Sequence, residues 1–135
     1  MSPAKTFRER VHDARSEVRM LSPDEAKQIL DRGDAMLIDV GEEWQLLERG
    51  TIAGARNITR GELEIRADTE EDRRDPTLQD RKQTIILTCG GGSKATLSAK
   101  ALIEMGFEDV SVIQGGCRGW QRAGHPLIAW KKPAG

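Results

Sequence analysis

The sequence predicts an α/β fold in which a central parallel sheet carries helices on both faces. Three nearly continuous apolar segments are typical of strands buried on both sides: AMLIDV at 35–40, TIILTC at 84–89 and DVSVIQ at 109–114. Each is followed by a helix-like segment, and strands that alternate with helices form right-handed parallel βαβ units. The 135 residues are enough for one domain with a sizeable core.

The first half of the chain supplies further elements. An exposed N-terminal helix is expected over 6–19, because apolar side chains recur there at spacings of four, three and four. A second helix begins after Ser22, where Glu25 completes a capping box, and ends at Gly33. The remaining elements of this half are two short helices and one short strand, at 42–50, 60–67 and 54–58.

The second half contains a polar connection and two more helices. Residues 68–82 are dense in charge and almost without apolar side chains, so we interpret them as a solvated connection. A helix is expected over 93–105, ended by Gly106, and a short one after the double glycine at 115–116. We divide the chain into an N-terminal helical extension, a main domain and a loose tail, at 1–19, 20–130 and 131–135.

Composition argues against several classes of protein. The formal net charge of −1 gives no pull toward nucleic acid or an anionic membrane, and no apolar run approaches the roughly 18 residues that span a bilayer. The N-terminal residues lack the apolar core of a signal peptide, so we expect a cytoplasmic protein. Two cysteines and two widely separated histidines have no zinc-ligand spacing, and we expect neither a metal nor a cofactor.

The loop after the second buried strand concentrates the chemistry of the sequence. Cys89 ends the strand, and ligands gather at the carboxyl ends of strands in open α/β sheets. A glycine-rich loop can turn its N–H groups inward as an anion nest, and the following helix N-terminus adds further N–H groups. Both effects favour the thiolate of Cys89, its nucleophilic form. We therefore predict Cys89 as the catalytic residue and, as its binding loop, Gly90, Gly91, Gly92, Ser93 and Lys94.

Other interpretations of this loop fit less well. A Walker A loop needs a hydroxyl directly after its lysine, whereas Ser93 precedes Lys94 and Ala95 follows it. A cysteine phosphatase loop places an arginine six residues after the nucleophile, where this chain has Ala95; the lysine at five cannot form the bidentate fork. Packing as an ordinary core cysteine is the remaining alternative for Cys89, and the three glycines and the helix start disfavour it.

Four segments together resemble the single-domain rhodaneses, a family of sulfurtransferases. In chain order, and over about residues 20–128, they are MLIDVGEEWQLLERGTIAGARNI, IILTCGGGSKATLSAKALIEMGF, DVSVIQGGCRGW and AGHPL. The resemblance implies a rhodanese-like fold, a six-residue active loop from Cys89 to Lys94, and a persulfide on Cys89. It also implies a small sulfur donor, thiosulfate or 3-mercaptopyruvate, and a thiol or protein acceptor.

Some residues depart from the family pattern. Gly41 stands in place of the arginine of Asp-Val-Arg-Glu, Thr51 and Ala53 stand where histidine and proline are common, and the final loop residue is Lys94 instead of arginine. These departures concern substrate anchoring and partner docking more than persulfide chemistry. They leave open a second interpretation, a weakly catalytic or non-catalytic rhodanese-like module that carries sulfur or binds a protein.

Several further residues carry weaker predictions. The resemblance implies Arg60 and Glu62 as residues at the rim of the site, and Trp120 is a third rim candidate because it follows a glycine at a strand-to-helix turn. Packing is favoured for Cys117 over the role of a resolving thiol. Asp39 ends the strand beside Cys89, and we expect it to bond neighbouring backbone. The N-terminal helix could pack on its own domain or form a homo-oligomer with a second chain.

Overall fold

The computed structural model describes residues 3–134 and confirms the predicted α/β fold. Its sheet contains five strands, β1 Arg19–Leu21, β2 Ala35–Asp39, β3 Arg56–Asn57, β4 Thr84–Thr88 and β5 Asp109–Ile113. All neighbouring strands are parallel, in the order β1-β5-β4-β2-β3. Residues 1, 2 and 135, which belong to the predicted extension and tail, lie outside the described residues, and the division into extension, domain and tail stays a prediction.

Six α-helices connect and cover the strands: α1 Phe7–Arg15, α2 Pro23–Asp31, α3 Glu43–Arg49, α4 Arg60–Ala67, α5 Ser93–Glu104 and α6 Gly116–Arg122. The predicted capping box of α2 is present, because the Ser22 hydroxyl accepts from the Glu25 N–H while the Glu25 carboxylate accepts from the Ser22 N–H. Among the described residues, no helix is long and apolar enough to cross a membrane.

The central strand β4 is apolar on both faces because each face meets helices. Ile85 and Leu87 pack in one cluster with side chains of α4 and α5, while Ile86 packs in a second cluster with side chains of α2 and α6. Strands β4 and β5 are neighbours with Leu87 opposite Val112. The loops that leave these two strands therefore lie side by side at the carboxyl edge of the sheet.

The N-terminal helix differs from its prediction in extent and in exposure. Helix α1 ends at Arg15, and Arg19–Leu21 form strand β1 at the edge of the sheet, next to β5. A strand of three residues is too short to show a hydrophobic period, so no sequence pattern indicated it. Val11 and Ala14 are buried against Leu97 of α5, so the helix packs on its own domain. Association of two chains through α1 stays a prediction.

The predicted solvated connection at 68–82 contacts the rest of the domain at several points. A 3₁₀ turn, Pro76–Leu78, buries Leu78 completely. Before it, the Asp75 carboxylate accepts from the Thr77 N–H at 2.8 Å and from the Arg56 guanidinium at 2.6 Å, which ties the segment to strand β3. Most of the segment is exposed, as expected of a solvated connection, but the buried Leu78 and the Asp75–Arg56 ion pair attach it to the domain.

The Asp75 ion pair predicts a pH-dependent stability. Burial alone would raise the pKa of the Asp75 carboxyl, but hydrogen bonds from Thr77 and Arg56 outweigh burial and lower that pKa to about 2. Such a group stabilises the fold above its unfolded pKa of about 3.9, and the contribution is lost as pH falls toward 2. We expect Asp75→Asn to lower the unfolding free energy by about 2 kcal/mol at pH 7 and negligibly at pH 2, measured by urea titration. An equal loss at both pH values would contradict this assignment.

Candidate active site

The Cys89 sulfur lies at the turn between strand β4 and helix α5 and accepts two backbone hydrogen bonds. The Gly92 N–H donates to Sγ at 3.1 Å, and the Ala95 N–H donates at 3.5 Å. Gly92 has a φ of +98°, a left-handed conformation that glycine adopts without strain, and this places the helix N-terminus beneath the sulfur. The side chain is only 4% exposed. The turn is therefore arranged to hold negative charge on a nearly buried sulfur.

Helix α6 orients the peptide groups of this loop from the opposite side. The Cys117 N–H donates to the Cys89 carbonyl at 2.8 Å, and the Arg118 N–H donates to the Gly90 carbonyl at 3.1 Å. Because a trans peptide unit points its N–H opposite to its C=O, the next two N–H groups in the loop, those of Gly90 and Gly91, are directed away from α6. Helices α5 and α6 thus fix the conformation of the loop from opposite sides.

A cleft of about 270 Å³ opens over Cys89, and three elements besides the loop line it. Its lining residues are Phe7, Gln45, Cys89, Gly90, Gly91, Ser93, Lys94 and Arg118. The Lys94 ammonium donates to the Gln45 side-chain oxygen at 3.2 Å. The Arg118 side chain is exposed, and its Nη1 lies 3.7 Å from the place where a Cβ on Gly91 would be. Two cations therefore border the opening above the sulfur.

Sequence reasoning missed Phe7, Gln45 and Arg118 as cleft residues. Phe7 reaches the cleft only because α1 folds back onto α5, and Gln45 only because α3 begins at the same sheet edge. Arg118 could have been found, because it follows the double glycine after the third predicted strand. Parallel pairing of that strand with the one before Cys89 brings both turns to one edge.

Beneath the loop lies a network centred on a fully buried carboxylate, Asp39. As expected, it bonds neighbouring backbone, because Oδ1 accepts from the Gly41 N–H at 2.9 Å. It also accepts two bonds from the Arg49 guanidinium, at 2.9 and 3.1 Å, and one from the Thr51 hydroxyl at 2.7 Å. Burial alone would lower the pKa of Arg49, but the hydrogen bonds and charge of Asp39 outweigh burial, and the pKa of Arg49 is raised. The two parallel hydrogen bonds give the Arg49–Asp39 contact the bidentate geometry of an arginine–carboxylate pair.

The second cysteine is placed differently from the first. Cys117 is fully buried in the cluster that contains Ile86, on the face of the sheet opposite to the cluster that contains Cys89. Its Sγ lies 3.4 Å from Arg49 Nη1. Burial raises the pKa of the Cys117 thiol to about 11, with the Asp39 charge adding to the rise. These surroundings favour a packed, neutral thiol at Cys117.

The three rim candidates do not share one location. Arg60 lines a groove next to the Cys89 cleft, and Lys94 borders both. Glu62 lies on another side of α4, where its carboxylate accepts from Arg73 at 3.2 Å. Trp120 faces the core from α6 and donates its indole N–H to the Pro126 carbonyl at 3.1 Å. The structure brings neither Glu62 nor Trp120 to the cleft, because the helices that carry them turn these side chains elsewhere.

Comparison with known protein families and sequences adds independent information. The sequence model of one protein family, the rhodanese-like domain, matches residues 22–123 of this chain. The uncharacterized protein YibN of Escherichia coli is 26% identical over 116 residues, which cover 86% of this chain and 76% of YibN. Thiosulfate sulfurtransferase GlpE of Actinobacillus pleuropneumoniae is 35% identical over a shorter stretch of 48 residues, 36% of this chain and 44% of GlpE.

Two solved structures are similar over most of the chain. A Rhodopseudomonas palustris protein of unknown function, described as a possible tyrosine phosphatase, has a TM-score of 0.86 and 26% identity, covering 95% of this chain and 98% of its own. The polysulfide-sulfur transferase homodimer of Wolinella succinogenes has a TM-score of 0.70 and 28% identity, covering 90% of this chain and 86% of its own. Both confirm the fold that the sequence predicted.

The close packing of α6 on the loop makes Gly116 sensitive to substitution. Gly116 has a φ of +62°, and a Cβ there would lie 2.3 Å from the Cys89 carbonyl oxygen. Gly106 has a φ of +95° with no atom within 4 Å of such a Cβ, so Gly106→Ala isolates the backbone strain. In urea titrations we expect Gly106→Ala to cost about 1 kcal/mol of unfolding free energy and Gly116→Ala at least 2 kcal/mol more. Equal losses of unfolding free energy in the two variants would show that α6 and the loop are not closely packed at Gly116.

Proposed function

This chain belongs to the rhodanese-like domain family, and we propose that it is a sulfurtransferase that carries sulfane sulfur as a persulfide on Cys89. The observation that supports the proposal is the nearly buried Cys89 sulfur, which accepts hydrogen bonds from the Gly92 and Ala95 N–H groups below an open cleft. Backbone donors in such a place stabilise a sulfur anion without moving during the reaction. Binding of a protein partner alone would not require this arrangement.

In the first half-reaction the Cys89 thiolate attacks the outer sulfur of a donor. With thiosulfate, a new S–S bond forms to Cys89, the S–S bond of the donor breaks, and sulfite leaves with the electron pair of that bond. The product is a persulfide anion, Cys89–S–S⁻. The N–H groups of Gly90 and Gly91, directed away from α6, would donate to its outer sulfur.

In the second half-reaction a thiolate acceptor attacks the outer sulfur of the persulfide. The acceptor gains the sulfur as its own persulfide, and Cys89 leaves as a thiolate, ready for another cycle. Charge and atoms balance in both halves, so neither an oxidant nor a metal is needed. Covalent transfer in two halves predicts ping-pong kinetics. The acceptor is a small thiol or a cysteine of another protein.

The charges around the cleft favour an anionic donor. Lys94 and Arg118 border the opening, and none of the described residues that line it is an acid. Thiosulfate carries two negative charges and 3-mercaptopyruvate carries a carboxylate, so both suit the opening. We favour thiosulfate because its two charges match two cations. Each cycle begins with Cys89 as a free thiolate and needs a free acceptor thiol, and we therefore place the reaction in the cytoplasm.

A phosphatase activity fits the loop less well, although one structural relative carries that description. Six residues after Cys89 the chain has Ala95, whose N–H donates to the sulfur and whose side chain is fully buried. No arginine of the loop itself can therefore grip a phosphoryl group bidentately.

Intact mass spectrometry after incubation with thiosulfate, or separately with 3-mercaptopyruvate, tests the proposed function. We expect one added sulfur on the wild type and on Cys117→Ser, and none on Cys89→Ser, because only Cys89 opens to the cleft. Cyanide should then remove the sulfur and form thiocyanate. A folded wild type with reduced Cys89 that takes sulfur from neither donor would contradict the proposal and favour a non-catalytic, partner-binding module.

Charge at the opening should control donor affinity. We expect Arg118→Gln to raise the KM for thiosulfate about tenfold with a smaller change in kcat, since a charge-assisted hydrogen bond is worth about 1.5–3 kcal/mol. Arg122→Gln is the matched control, because it removes the same charge from the same helix without lining the cleft. Steady-state kinetics at constant ionic strength measure both. Equal effects of the two variants would mean that only the overall charge matters.

A further inference from the structure

The Arg49 guanidinium occupies a space between two glycines beneath the Cys89 loop. A Cβ on Gly41 would lie 2.7 Å from Arg49 Nη2, closer than a real side chain could approach. A Cβ on Gly90 would lie 3.6 Å from Arg49 Nε, so the guanidinium also lies against the loop. The arginine of the family pattern at position 41 is absent from this chain. A guanidinium reaches that space from the end of α3 instead.

Asp39 fixes this guanidinium in one orientation. Both carboxylate oxygens accept from it, Oδ2 from Nη1 and Oδ1 from Nη2, and Nη1 also donates to the Gly50 carbonyl at 2.7 Å. Among the hydrogen bonds of the described residues, none uses the Nε–H, which lies on the side of Gly90. The Asp39 carboxylate is thus held in the core, and the Nε side of the Arg49 guanidinium faces the loop.

The position of Asp39 makes a cation necessary here. In the parallel sheet Asp39 is opposite Thr88, the residue that precedes Cys89. A fully buried carboxylate at this place would repel a thiolate or persulfide on Cys89 if it were unpaired. The Arg49 side chain, 20% exposed, compensates that charge from within the protein, where water screens it less than at the surface.

Charged groups from five elements lie around the loop. Arg15 of α1 lines a small pocket together with Gly91 and Gly92. Asp39 of β2 and Arg49 of α3 lie beneath it, whereas Lys94 of α5 and Arg118 of α6 border its open side. The two cations at the opening are placed to meet a donor. Arg49 is the one whose charge is held by a buried partner, so its effect on the sulfur does not depend on a bound donor.

We propose that Arg49 is a positioning residue that, paired with Asp39, favours the anionic forms of the Cys89 sulfur, and that Gly41 provides the space for it. Its effect on the persulfide rests on the proposed function, whereas its effect on the thiolate does not. The guanidinium beneath the loop thus comes from the end of α3, next to a glycine at position 41.

The test is the pH dependence of Cys89 alkylation by iodoacetamide, measured in a Cys117→Ser background without any sulfur donor. We expect Arg49→Gln to raise the pH of half-maximal rate by about one unit, because the cation that favours the anionic sulfur is lost. Arg56→Gln is the matched control, because it breaks another arginine–aspartate pair, at Asp75, far from the loop. It should leave the alkylation profile unchanged even if it destabilises the fold.

A second variant covers the case in which Arg49→Gln does not fold. Asp39→Asn combined with Arg49→Gln removes both charges and leaves no unpaired carboxylate in the core. We expect its alkylation profile to shift in the same direction by a smaller amount, because the positive end that faced the loop is gone. An unshifted profile in a folded variant would overturn the proposal.

These outcomes are separable from those of the proposed function. If the wild type takes up no sulfur but Arg49→Gln shifts the alkylation profile, the sulfurtransferase assignment fails and the role of Arg49 stands for the thiolate. If the wild type forms the persulfide and neither variant shifts the profile, the inference about Arg49 fails alone.

Discussion

Two backbone hydrogen bonds between neighbouring turns determine the shape of the candidate site. They run from the N–H groups of Cys117 and Arg118 to the carbonyls of Cys89 and Gly90. Because a trans peptide unit is planar, carbonyls that accept from α6 direct the following N–H groups, those of Gly90 and Gly91, away from α6. The parallel pairing of β4 with β5 makes these bonds possible, because it brings the two strand exits together. A sulfur anion therefore meets donors that are oriented before it forms.

The two cysteines of this region have different surroundings. Cys89 is met by backbone N–H donors and opens to a cleft bordered by cations, conditions that favour a nucleophile. Cys117 is buried on the other face of the sheet, and burial raises its thiol pKa to about 11. Helix α6 carries Cys117 into the cluster on the opposite face of the sheet, so the two sulfurs have different surroundings although the Cys117 N–H donates to the Cys89 carbonyl.

The contacts around Asp39 explain two of the departures from the family pattern. Thr51 donates to the buried Asp39 carboxylate, and Gly41 leaves room for the Arg49 guanidinium that pairs with it. Two of the departures, Gly41 and Thr51, therefore belong to one network around Asp39. Helix α1 adds another feature of this chain, because packing of Val11 and Ala14 on α5 carries Phe7 to the edge of the cleft.

The sequence by itself determined the α/β class, the placement of Cys89 at a strand end and the glycine-rich turn after it. Those features are local, because strand periodicity, helix caps and turn glycines depend on residues that are close together in the sequence. The tertiary structure alone decided that Phe7 and Gln45 border the cleft and that Glu62 and Trp120 do not. It alone paired Arg49 with Asp39, ten positions earlier in the chain. Such contacts depend on strand order and on the rotation of each helix about its axis, and no local pattern encodes either.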